Sequence, residues 1–182
     1  STLEKMNQDF FQDNDHFKRL YDKWMAYYHE SMTLHEAIET FILVSDEMIS
    51  VEEPQWEMIA GRFLAFDIHQ QVESHIQKLH LLTFYDKIKY LTQEGYYGAY
   101  ILEYYNKQDI QELEAYIDDE RDEFFNHSGL DLLYKRYLIH DYHHQILETP
   151  QEMFMGIAMH LAIKEKKRVQ WAKQFYDVLS TL

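Results

Sequence analysis

Apolar residues recur at three- and four-residue steps through most of this chain, the spacing of helices with one buried face. In NDHFKRLYDKWMAYYHE the residues Phe17, Leu20, Tyr21, Trp24 and Tyr28 share such a face. Thr33, followed by Glu36, reads as a capping box, in which a hydroxyl and a carboxylate each satisfy an orphan amide of the first helical turn. The helix behind it carries Leu34, Ala37, Ile38, Phe41, Ile42, Met48 and Ile49. Pro54 suits the first position of the next helix, where its missing N–H costs nothing. Trp56, Ile59, Ala60, Phe63 and Leu64 form that helix's buried stripe. Gly61 within it costs about 1 kcal/mol against alanine, which predicts a close contact at that point.

The second half continues in the same way. Thr83 caps TFYDKIKYLTQEG, with Gly95 just past its end. YYGAYILEYY predicts a short helix, and Asn106 caps KQDIQELEAYID with Asp109 at the third position. SGLDLLYKRYLIH starts as helix at Ser128 and drifts towards strand at Tyr137, Leu138 and Ile139; DYHH predicts a turn and QILE a returning strand. Thr149-Pro150-Gln151-Glu152 is another capping box, followed by an apolar face of Met153, Phe154, Ile157, Ala158, Leu161 and Ala162. A last helix, about residues 165–179, buries Val169, Ala172, Phe175, Tyr176 and Leu179. The fold expected is mainly α: a multi-helix orthogonal bundle with one late β-hairpin, forming a single helical domain over residues 1–182. An isolated two-stranded hairpin is marginal in water, so this one must pack on helices or on something outside the chain.

Composition narrows the function. The chain has 182 residues, 46% of them hydrophobic and 16% aromatic, enough for a packed core. A formal net charge of −15 repels phosphate backbones and anionic lipid, which argues against nucleic acid and membrane as partners. No apolar run reaches the length of a membrane span, and STLEKMNQDFFQDND has no basic start and apolar run of a secretory signal. The absence of cysteine excludes disulfides, thiolate metal sites and thiol catalysis within these residues, and fits a cytoplasmic protein. The chain starts at Ser1 and stops directly after an apolar helix, as a piece of a longer chain would.

Candidate chemistry is sparse. His140, Asp141, His143 and His144 are the most metal-like group, but two of the histidines are adjacent in a turn, and zinc needs three or four convergent ligands. Di-iron carboxylate sites use Glu-x-x-His pairs; here Glu123 and His127 are four apart. DDERDE, residues 118–123, could serve as an acid/base pair or a hard-cation site, but reads better as a solvated acidic corner with Arg121 pairing locally. Met153, Met155 and Met159 read as core or interface. No catalytic, cofactor-binding or metal-ligating residue is assigned.

The stretch RYLIHDYHHQILETPQEMFMGIAMHLA resembles the N-terminal helical region of the large (α) subunit of class I ribonucleotide reductase, through Arg136-Tyr137-Leu138, Glu148-Thr149-Pro150-Gln151 and Met153-Phe154-Met155. YIDDERDEFF is similar to the family's Ile-Asp-x-x-Arg-Asp segment at Ile117, Asp118, Arg121 and Asp122. YDKIKYLTQEGYY, the helix with Pro54, Ala60 and Arg62, and WAKQFYDVLST also resemble family segments, so the likeness covers residues 33–181. Two departures stand out. Met155-Gly156-Ile157-Ala158 replaces a common Met-Arg-Val-Ala. Residues 1–75 resemble the helical part of a degenerate ATP-cone, with Gln70-Gln71 where basic residues are expected, so no effector site is assigned.

The resemblance implies a scaffold within a ribonucleoside-diphosphate reductase α subunit, an enzyme that reduces ribonucleotides to deoxyribonucleotides for DNA synthesis through a cysteine thiyl radical. These residues lack the catalytic cysteines and are expected to be inactive alone. The implied partners are the catalytic barrel of the same subunit and a small radical-generating subunit with a metal centre; nucleotide effectors are implied for the parent enzyme. The Thr149 helix and the hairpin are expected to form an inter-domain surface. The alternatives are a stand-alone helical interaction module and a nucleotide-sensing regulatory domain.

Overall fold

The computed structural model describes residues 14–181; residues 1–15, read above as lacking a secretory signal, fall outside it except for the last two. The chain divides into two compact units, one of residues through Asp67 with Phe125–Asp131, the other of Ile68–Phe124 with the residues from Leu132 on.

The first unit is built on α1 (Asn14–Trp24), α2 (Leu34–Met48) and the first half of α3 (Trp56–Lys78). The Thr33 box forms as expected, with the Thr33 hydroxyl taking the Glu36 amide and Glu36 reaching back to the Thr33 amide. Three aromatic rings stack through the core: Trp24 on Phe41 at 4.6 Å and Phe41 on Phe63 at 5.0 Å. Trp56, Ile59, Ala60, Phe63 and Leu64 are all buried. A side chain at Gly61 would meet the Phe125 carbonyl oxygen at 2.6 Å, so the expected close contact is with the backbone entering α7 (His127–Arg136). Two expectations need correction. α1 stops at Trp24, where the amides of Ala26 and Tyr27 turn back three residues, so Tyr28 is off the helix and exposed. Pro54 sits in a turn ahead of α3, its carbonyl taking the Glu57 amide, rather than at the first helical position.

The second unit packs α8 (Pro150–Leu161) and α9 (Arg168–Ser180) on each other, with α4 (Phe84–Gln93), α5 (Ile101–Tyr104) and α6 (Lys107–Glu114) around them. Thr83, Asn106 and Thr149 cap their helices as read, and Gly95 follows α4 with φ +81°. The core runs through Phe84, Ile88, Ile101, Tyr105, Ile110, Leu113, Met155, Ala158, Met159, Ala162, Ala172 and Tyr176. The buried face of α8 is only partly the one expected: Met153, Ala158 and Ala162 are buried and Phe154 packs against the core, but Ile157 and Leu161 are exposed. PQEMFMGIAMHL is apolar nearly all round, so periodicity could not choose a face; packing took the side with Gly156, Ala158 and Ala162, where small residues admit close neighbours.

The expected β-hairpin does not form. Among the described residues there is no strand, only one antiparallel bridge between His140 and Ile146. Side chains take the amides that a ladder would need. Asp141 Oδ1 accepts from the His143 and Gln145 amides at 2.8 and 2.9 Å, and Glu148 Oε1 accepts from the Ile139 amide at 3.0 Å. Such local bonding competes directly with sheet extension.

Candidate functional site

The chemistry of the second unit concentrates at the N-terminal end of α8. A 3-10 turn, Asp119–Phe124, carries Asp122 into the interior, where it is 2% exposed. His69 Nε2 donates to Asp122 Oδ2 at 2.8 Å, and Gln151 Nε2 donates to Asp122 Oδ1 at 2.8 Å. Tyr176 then donates its hydroxyl to Gln151 Oε1 at 2.7 Å and accepts from the Asp118 amide at 2.9 Å. Every link has a defined direction, because the carboxylate only accepts and the amide must point its nitrogen at it. Burial opposes protonation of His69, but the hydrogen bond and charge of Asp122 prevail and raise its pKa. Burial raises the Tyr176 hydroxyl as well, which keeps it a donor. Arg121 closes the assembly, donating to Ser180 Oγ at 2.6 Å and to Asp177 Oδ1 at 3.0 Å, with its guanidinium 4.9 Å over the Tyr176 ring.

A second contact clamps the same helix. Lys87, on α4, places its ammonium 2.6 Å from both oxygens of Glu152, which also caps α8 through the Thr149 amide. One carboxylate thus serves the helix end and a buried ion pair. Next to it, Glu148 is 2% exposed, and burial pushes its carboxyl up to about 8. Its Oε2 takes the Tyr97 hydroxyl at 3.3 Å. Glu148 lies at a cavity of about 410 Å³ with Tyr96, Tyr97, Tyr100, Tyr137 and His160.

The residues weighed from sequence scatter. His140 Nδ1 donates to the Leu138 carbonyl, Asp141 orders its own turn and lies 3.2 Å from His75, and His144 occupies a left-handed turn position with φ +60°. His127 pairs with Asp46 at 3.0 Å. Among the described residues no three His, Asp or Glu side chains gather as a metal-ligand set. DDERDE is not simply a solvated corner, since Asp122 is buried; Arg121 does pair locally with Asp118, at 3.3 Å. Met155 and Met159 are core. His69, Lys87 and Tyr97 were not singled out from sequence; nothing in their local pattern marks partners 53, 65 and 51 residues away.

The segment that supplies Gln151, Glu152 and Tyr176 falls within residues 123–182, which match the family described as "Ribonucleotide reductase, all-alpha domain". The whole chain is similar to the ribonucleoside-diphosphate reductase subunit alpha of Treponema pallidum, 39% identical over 99% of this chain and 21% of the relative. The subunit alpha of Helicobacter pylori is 32% identical over 84% of this chain and 19% of the relative, and that of Enterobacteria phage T4 34% over 89% and 21%. By sequence, residues 123–182 belong to the ribonucleotide reductase all-alpha domain family, and the chain as a whole is similar to reductase α subunits. It spans about a fifth of the length of the curated relatives it matches.

The segments that carry the reductase resemblance meet in space. Asp118, Arg121 and Asp122 from one and Gln151 from the other build the buried chain of hydrogen bonds, and Glu148 and Thr149 hold the loop and helix end beside it. The departure at Gly156 also acquires a reason. A Cβ there would run into the Tyr97 hydroxyl and lie 3.0 Å from its Cζ, so Tyr97 occupies the space over α8 that a side chain at 156 would need. No helix among the described residues is long and apolar enough to cross a membrane.

Proposed function

We propose that these 182 residues form one helical domain of a cytoplasmic ribonucleoside-diphosphate reductase α subunit, where they act as a scaffold for ribonucleotide reduction carried out by other parts of that subunit. The similarity to reductase α subunits over 99% of the chain carries this reading. The buried Asp122–Gln151–Tyr176 bonding supports it physically: it fixes α9 against α8 without leaving any of these side chains free for chemistry. The catalytic barrel of the same subunit is the partner of this scaffold. A small radical-generating subunit with its metal centre and the nucleotide effectors belong to the assembled enzyme. Residues 1–75 act as the helical part of a degenerate ATP-cone that holds no effector.

The test is complementation. This chain, mixed with the remainder of an α subunit and the small subunit, is expected to restore reduction of a ribonucleoside diphosphate that neither part supports alone. Failure of the two parts to associate would overturn the scaffold reading. Calorimetry with ATP and dATP is expected to give no heat of binding; micromolar affinity would instead establish a nucleotide-sensing domain.

A further inference from the structure

The cavity at Glu148 has features that a scaffold does not use. Its lining combines four tyrosines with His160 and Glu148 and contains no lysine or arginine. Its volume, about 410 Å³, is that of a small-molecule site. Tyrosine faces are electron-rich and attract cations. His160 Nδ1 donates to the Gly156 carbonyl at 2.8 Å, which leaves Nε2 as an acceptor, and its ring meets Tyr97 and Tyr100 edge-on. Glu148 is the lining's one carboxyl and is almost fully buried. The net charge of −15 adds a field that draws cations in.

We propose that this cavity binds an organic cation, a guanidinium or ammonium group on a short apolar stem, with Glu148 as its counter-ion and the tyrosine rings as its walls. The groups facing Glu148 are the Tyr97 hydroxyl, the Ile139 amide, Glu152 and Lys87, and the Lys87 ammonium is already taken by Glu152. Burial keeps the carboxyl protonated up to about pH 8, with Glu152 adding to that tendency. An entering cation stabilises the carboxylate, so the acid proton leaves to solvent as the ion pair forms, and charge is conserved.

Guanidinium probes test this cleanly because they stay charged throughout. Calorimetry with n-butylguanidinium and with Nα-acetyl-arginine amide, in buffers of different ionisation enthalpy, is expected to show binding coupled to release of one proton. Affinity should tighten about tenfold per pH unit up to about pH 8. Tighter binding of butylguanidinium identifies a free small cation as the ligand; tighter binding of the amide identifies an arginine or lysine side chain. Glu148→Gln, which keeps the shape of the protonated acid, should lose both affinity and proton release while its far-UV spectrum is unchanged. His160→Gln should keep the proton release. Absence of binding in the millimolar range by both probes, or proton release that survives in Glu148→Gln, would overturn the proposal.

Discussion

Replacing Gly156 by alanine probes how α8 accepts its neighbour. The new Cβ would stand 3.0 Å from Tyr97 Cζ and closer still to the hydroxyl. Ordinary contact needs about 3.5 Å, so the tyrosine head must retreat by about 1 Å or more. That retreat disturbs its hydrogen bond to Glu148. Overpacking of this kind costs about 1–3 kcal/mol, while removing a glycine from a helix returns about 1 kcal/mol. The net loss expected is about 1 kcal/mol, a difference too small to interpret alone. The informative measurement is a double-mutant cycle with Tyr97→Phe. Without the hydroxyl the remaining clash is with Cζ, a few tenths of an ångström, so alanine should be neutral or stabilising in that background. Urea unfolding of the four proteins is expected to give a coupling of about 1–2 kcal/mol. Coupling below about 0.3 kcal/mol, within ordinary additivity, would refute the fit of Tyr97 over Gly156.

Two further predictions concern the buried polar groups. Lys87→Met strands the Glu152 carboxylate and should cost about 3–5 kcal/mol in urea unfolding; Lys87→Met with Glu152→Gln should recover much of it, and a single-mutant loss below about 1 kcal/mol would show that the pair is not clamped as described. Stability should fall as pH rises from about 5 to about 8, for two reasons of the same sign. The raised pKa of His69 gives a contribution present in full below its unfolded value of 6.5 and lost as pH passes through the folded one. Glu148 holds its proton in the folded state up to about 8, whereas the unfolded chain loses it near 4.5, so the folded state is penalised across that window. Thermal unfolding at several pH values should show a flatter profile for Glu148→Gln and for Asp122→Asn; a profile unchanged in Glu148→Gln would contradict its buried, protonated state.

Helix ends were written in the sequence because a cap is a local object. Thr33, Thr83, Asn106 and Thr149 each meet an amide three residues away, and Pro150 needs only its own ring to favour the first turn. The mainly helical fold follows from those signals together with the three- and four-residue apolar spacing. The family likeness was legible as well, since segments such as 117–122 and 148–151 keep their order along the chain. The hairpin was misread because the apolar run Tyr137-Leu138-Ile139 makes a strand only if its amides stay free for a partner strand, and Glu148 takes that of Ile139. Which face of α8 is buried, the clamp of Lys87 on Glu152, and the passage of Tyr97 over Gly156 were decided by tertiary structure. The clamp and the Tyr97 passage join residues more than 50 positions apart, and the face of α8 is set by packing on α9 and on α4 to α6; local spacing carries no record of which distant atom fills a gap or neutralises a charge.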